Sequence, residues 1–175
     1  MSLIKSLNSQ RANNDCTYIT PKWLTDLLGP FDVDIAAAAG SYNVIGRREN
    51  YCGPTGSENC GLAAKLKESD FVWCNPPFAI RHGMDKFIQK MQQHGGGIML
   101  LPANTQQRWF LEFVVPHAAS VYFWPGTFKF DDIFSRPKLA LGTGIILVEF
   151  GQAQRLKRLL TSNLGGQLCT MGVVK

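Results

Sequence analysis

No apolar run in this chain approaches the ~20 residues of a membrane-spanning helix, and residues 1–15 lack the apolar centre of a secretory leader. A cytoplasmic protein with no membrane partner is the expectation. Cysteine is also too scarce to staple the fold: the five, at positions 16, 52, 60, 74 and 169, are odd in number and without close pairs. That spacing argues against a disulfide framework or a four-ligand zinc site. Cys52 and Cys60 flank a loop carrying Gly53, Pro54 and Gly56, so a metal or disulfide clip stands there as the minor alternative to reduced, partly buried thiols. Charged residues are only 18% against 45% hydrophobic, which excludes a disordered chain, and there is no internal repeat or low-complexity tract.

What is present is a chain of 175 residues, one domain of ordinary size, long enough to bury about two-thirds of its unfolded surface. A net charge of +5 suits a polyanionic partner without requiring one. The most informative stretch is Phe71-Val-Trp-Cys-Asn-Pro-Pro-Phe-Ala-Ile80. Its apolar start predicts a buried strand, which must stop at Pro76 and Pro77 because neither has an N–H for the ladder. In open α/β sheets the carboxyl edge of the strands is where ligands bind. The turn therefore places a carboxamide, a proline carbonyl and an aromatic ring at an expected crevice.

Those groups suit activation of a poorly nucleophilic amine for attack. The Asn75 side-chain oxygen and the Pro76 carbonyl can accept both amine hydrogens, drawing the nitrogen toward tetrahedral geometry and freeing its lone pair. Pro76 and Pro77 hold the acceptors rigid beforehand, which is where electrostatic preorganisation acts. Phe78 offers a flat face to a base rotated out of its stack. The plainer alternative is a rigid strand-ending turn with Phe78 in the core.

Asn75-Pro-Pro-Phe78 resembles the catalytic motif of S-adenosylmethionine-dependent amino-group methyltransferases, and its surroundings resemble the small phage and prophage DNA N6-adenine methyltransferases. The resemblance runs from about Thr17 to Phe150. It implies a single Rossmann-like methyltransferase domain over 17–175, an α/β fold with a mixed, mainly parallel sheet of six or seven strands and helices on both faces. It also implies S-adenosylmethionine as cofactor, adenine-containing DNA as partner, a bacterial host cytoplasm, and catalytic roles for Asn75, Pro76, Pro77 and Phe78. No metal is called for, and a monomer is the default. The same motif serves RNA bases and a protein glutamine amide, and the fold can persist as a nucleic-acid-binding module without activity; these alternatives stay open.

Along the chain, residues 1–16 are polar and predict a loose arm. Thr20 reads as a helix N-cap, Pro21 as the first helical position, and Trp23, Leu24, Leu27 and Leu28 as an apolar stripe ended by Gly29-Pro30. In the family resembled, the Thr-Pro signal sits at the methionine end of the cofactor, making Thr20 and Pro21 candidate contacts. Phe31 to Ala37 reads as a strand whose end carries Asp34, Ala36 and Gly40. These echo an Asp-Pro-x-x-Gly-x-Gly cofactor loop with its second glycine missing, the reduced form seen in the phage enzymes, where Asn43 matches a following Asn. Residues 41–70 read as a long loop bearing Arg47 and Arg48, candidate phosphate contacts, with a helical turn near Leu62–Leu66.

Met84, Phe87, Ile88 and Met91 have helical spacing, and Gly95 to Gly97 end that helix. Ile98–Pro102 predicts a buried strand with Asn104 and Thr105 at its carboxyl end; Leu101-Pro-Ala-Asn-Thr105 and Trp109-Phe110 match a segment of the family resembled. A helix over 106–117, a strand over 120–124, a hairpin at Pro125–Phe130 and a closing strand over 145–150 follow. Arg81, Asn104, Thr105, Lys129, Arg136 and Lys138 join Arg47 and Arg48 as substrate candidates. The tail with Arg155, Lys157 and Arg158 reads as a solvated helical face.

Overall fold

The computed structural model describes residues 18–38, 41–53, 56–132, 139–140 and 142–172. In chain order its strands are β1 (Tyr18–Ile19), β2 (Phe31–Asp34), β3 (Gly46–Asn50), β4 (Val72–Cys74), β5 (Gly97–Pro102), β6 (Ser120–Phe123), β7 (Lys129–Asp132), β8 (Leu139–Ala140), β9 (Ile145–Phe150) and β10 (Gln167–Thr170). Two α-helices, α1 (Lys22–Leu28) and α2 (Met84–His94), are joined by 3-10 turns at Gly61–Ala63, Ile80–His82 and Arg155–Thr161 and a π-helical turn at Phe110–Val114. Seven strands form one sheet in the order β10-β6-β9-β5-β4-β2-β3, and β1, β7 and β8 form a second, small one.

Alternation along the central strands decides the layers. On β5 and β9, Met99, Leu101, Ile146, Val148 and Phe150 face α2, while Ile98, Leu100, Ile145 and Leu147 face α1 and the 155–161 turn. Both faces are buried, so these strands carry apolar residues at nearly every position. Helical elements therefore do lie on both faces of an α/β fold with a mixed sheet. The expectation of a mainly parallel sheet is corrected: β3, β2, β4 and β5 are parallel neighbours, but the β5–β9, β9–β6 and β6–β10 pairings are antiparallel. The physical reason is that β9 inserts between β5 and β6 with its full six-residue register against β5.

Several local expectations change too. Pro21, not Thr20, is the residue capping α1, and Thr20 is buried with its hydroxyl used elsewhere. Residues 46–50 form an edge strand rather than loop; their Gly-Arg-Arg-Glu-Asn sequence has no apolar alternation because only one side of the strand is paired. Gly46 is required there, since a Cβ would lie 2.6 Å from the Asp34 amide nitrogen. The helix expected over 106–117 contracts to the turn at 110–114. β7 does not form a hairpin with β6; it leaves the main sheet to pair with β1 and β8. Arg155 and Arg158 are not merely solvated: they donate to the Leu28 and Gly29 carbonyls, satisfying the carboxyl end of α1. The arm over 1–16 lies outside the described residues.

Candidate functional site

β4 ends at Cys74 and the chain turns through Asn75, Pro76 and Pro77 at the carboxyl edge of the parallel strands. The turn is held from within. Ala79 N–H donates to the Pro77 carbonyl at 2.9 Å, His82 N–H to Ala79 at 2.9 Å, and Gly83 N–H to Ile80 at 2.8 Å. Gly83 closes it with φ of 84°, a left-handed conformation that a glycine adopts without strain.

A cavity of about 380 Å³ opens against this turn. It is lined by Asn75 to Ala79, Arg81, His82 and Phe87 from the turn and α2, by Ile35 to Ala38 and Tyr51 to Gly53 from the ends of β2 and β3, and by Tyr18. Small residues after β2 leave the volume open. Ala37 N–H reaches the Tyr51 carbonyl at 2.9 Å and Tyr51 N–H the Asp34 carbonyl at 2.8 Å, tying those two walls together. Gly61 packs so closely behind them that a Cβ would lie 1.7 Å from the Ile35 oxygen.

The orientation of Asn75 follows from its hydrogen bonds. Its Nδ2 donates to the Tyr18 carbonyl and to the Thr20 hydroxyl, each at 3.3 Å. Among the described residues nothing donates to its Oδ1 or to the Pro76 carbonyl, so two acceptors stand at the cavity unengaged. Thr20 is placed in turn by Asn43, whose Nδ2 donates to the Thr20 carbonyl at 2.9 Å and to the Thr25 hydroxyl at 3.2 Å. Phe78 is half-buried, edge-on to Phe130 with centroids 6.2 Å apart, and Tyr18 meets the same Phe130 ring at 5.4 Å. Phe130 rests on Phe128 at 4.7 Å, and Phe128 on Trp124 at 4.8 Å. Phe78 and Tyr18, two of the rings that line the cavity, thus stand on one aromatic foundation.

Asp34 does not line this cavity. Its register partner is Trp73, so its side chain shares Trp73's face of the sheet. There it borders a narrow, water-sized slot together with Thr20, Ala36, Ser41, Asn43, Trp73 and Asn75. Tyr18, Ala36, Ala38 and Asn75 line both spaces. Burial pushes the Asp34 carboxyl up to about 7, opposed by one hydrogen bond from the Ala36 N–H at 2.9 Å. The Trp73 indole N–H is buried with no hydrogen-bond partner among the described residues. Buried N–H groups almost always have partners, so the slot is short of one acceptor.

Of the expected site residues, Asn75, Pro76, Pro77, Phe78, Ala36 and Arg81 line the cavity, and Thr20, Asp34 and Asn43 join Ala36 and Asn75 at the slot. Pro21 lines neither; it is buried beneath α1. Arg47 and Arg48 lie on β3, and Arg48 pairs with Asp70, which precedes β4 and so sits at the opposite edge from Asn75. Asn104, Thr105 and Lys129 line neither space, and Arg136 and Lys138 fall outside the described residues. Tyr18, Tyr51, Cys52, Gly53, His82 and Phe87 are lining residues that sequence reasoning missed. Cys52, Cys60, Cys74 and Cys169 form no disulfide, which removes the disulfide form of the clip between Cys52 and Cys60. No family model matches the chain, and no curated protein or solved structure matches it.

Proposed function

We propose that this protein transfers a methyl group from S-adenosylmethionine to the exocyclic amine of adenine in DNA. The observation that carries the proposal is the fixed carboxamide: Asn75 Nδ2 is occupied by Tyr18 and Thr20, which leaves Oδ1 as the acceptor to spare, and Asn75 and Pro76 both line a cavity of about 380 Å³. An amine held by those two acceptors loses conjugation with its ring. Phe78 presents a braced aromatic wall for the base, and Tyr18 stands beside it on the same support. Positioning of this kind accounts for a large part of the rate of a bimolecular transfer.

The residues present fit the cofactor. Ala36 to Ala38 and Tyr51 to Gly53 would take its nucleoside part, since small side chains allow close approach. The slot beside the cavity, bordered by the buried Asp34 and the Trp73 N–H, is water-sized and too small for the cofactor's charged end. When bound, the cofactor supplies an electrophilic methyl on a sulfonium sulfur. Proton loss from the amine can follow attack, so no protein base is assigned.

The test is expression in a bacterial host lacking adenine methylation, followed by methylation-sensitive sequencing of its DNA. N6-methyladenine at a defined set of sites is expected. Unmodified DNA, with labelled methyl recovered only in RNA or protein, contradicts the choice of substrate; no transfer together with no cofactor binding favours an inactive binding module.

A further inference from the structure

Seven large apolar side chains are conspicuously exposed among the described residues, and one of them stands on the rim of the cavity. Ile80 is 58% exposed. Its chain neighbours Ala79 and Arg81 both line the cavity, two residues beyond Phe78. By contrast Leu111, Phe123 and Leu160 sit on elements that contribute nothing to the cavity wall. Ile80 is also not a loose loop residue. It opens the 3-10 turn Ile80–His82, whose backbone is fixed by the His82-to-Ala79 and Gly83-to-Ile80 hydrogen bonds. An isoleucine held rigidly in water gains nothing for the fold, since burial is what makes such a side chain stabilising.

Resting on the methyl-transfer reading above, we infer that the substrate is a base within a duplex and that Ile80 is the wedge entering the stack when the adenine rotates out. An adenine that stays stacked in the duplex cannot lay its face on Phe78 in the cavity wall, so the target must leave the helix. Its departure opens an apolar gap between neighbouring bases, the kind of gap that apolar wedges fill in bent or unstacked DNA. The turn places the wedge and the receiving pocket on one rigid piece: Phe78 meets the rotated base, and Ile80, two residues on, meets the space it vacated.

The prediction separates opening the duplex from the transfer itself. Random-sequence duplexes are prepared in two forms, fully matched, or with sparse uracils in the copied strand converted by uracil glycosylase to abasic sites opposite adenine. Both are incubated with methyl-labelled S-adenosylmethionine and with wild type, Ile80→Ala, Ile80→Leu and, as an exposed-apolar control, Leu111→Ala. Ile80→Ala should lose about tenfold or more on matched duplex while staying within about twofold of wild type at adenines facing abasic sites, where little unstacking remains to be opposed. Ile80→Leu should restore the matched rate, and Leu111→Ala should equal wild type on both. Equal loss by Ile80→Ala on the two substrates, or no loss on matched duplex, overturns the wedge while leaving methyl transfer standing. Failure of wild type to methylate either DNA overturns both readings together.

Discussion

A buried carboxyl and a pinned carboxamide, on neighbouring strands and two register positions apart but forty-one apart in sequence, are the two groups that matter at the residue scale. Asp34 in the folded protein titrates at about 7 against its ordinary 3.8, so the folded state holds the proton more tightly than the unfolded one. Stability from this group is therefore complete below about pH 4, is lost as pH rises toward 7, and is flat above. Asp34→Asn should remove that dependence: its stability advantage over wild type grows between about pH 4 and 7, reaching on the order of 4 kcal/mol. Urea unfolding at pH 4, 6 and 8 checks this; a constant gap contradicts it. Thr20 accepts a hydrogen bond from Asn75 Nδ2, so in the proposed reaction it would act one step away, by orienting the carboxamide. Thr20→Val keeps the shape and removes the hydroxyl. It should lower kcat about tenfold at a stability cost of about 1 kcal/mol, with Thr20→Ser restoring the rate. Unchanged kcat in the valine variant would show that Thr20 does not orient the carboxamide.

At the scale of elements, the central strands are readable because their signals are local. Phe71–Cys74, Ile98–Leu101 and Ile145–Phe150 are apolar runs of strand length, and α2 carries its stripe at Met84, Phe87, Ile88 and Met91. What the sequence hides is pairing between distant pieces. β3 is polar because it is an edge, β10 is a half-exposed Gln-Leu-Cys-Thr strand, and the three-stranded sheet joins β1 to β7 across more than a hundred residues. For the same reason Tyr51 and Cys52 were not visible as cavity residues: they follow a strand without an apolar pattern. Glu149 shows a second kind of hidden role. Lying wholly buried on β9, it accepts from the Arg155 N–H at 2.7 Å, the Leu156 N–H at 3.3 Å and the Ser120 hydroxyl at 3.2 Å. It thereby satisfies the amino end of the 155–161 turn that covers one face of the sheet. Glu149→Ala leaves those donors unpaired and should cost about 3 kcal/mol. A variant within 0.5 kcal/mol of wild type, roughly the spread of neutral surface changes, would contradict that role.

The whole molecule divides its labour between the two ends of its parallel strands. At the carboxyl ends lie the cavity, the slot and the aromatic support. At the amino ends Arg48 pairs with Asp70, and Arg155 lies 3.7 Å over the Phe71 ring while closing α1. Much of the basic character is thus committed to structure, and the overall charge of +5 is a weaker guide to DNA contacts than the cavity rim. The central claim is that Asn75 presents its oxygen to an adenine amine. It is tested most directly by incubating purified wild type and Asn75→Ala with methyl-labelled S-adenosylmethionine and unmethylated DNA, digesting to nucleosides, and measuring label in N6-methyldeoxyadenosine. Wild type is expected to place the label there, and Asn75→Ala to lose about a hundredfold or more in rate while still gaining thermal stability from the cofactor. Label appearing at an undiminished rate with Asn75→Ala, or absent from deoxyadenosine with wild type that binds the cofactor, would contradict the account.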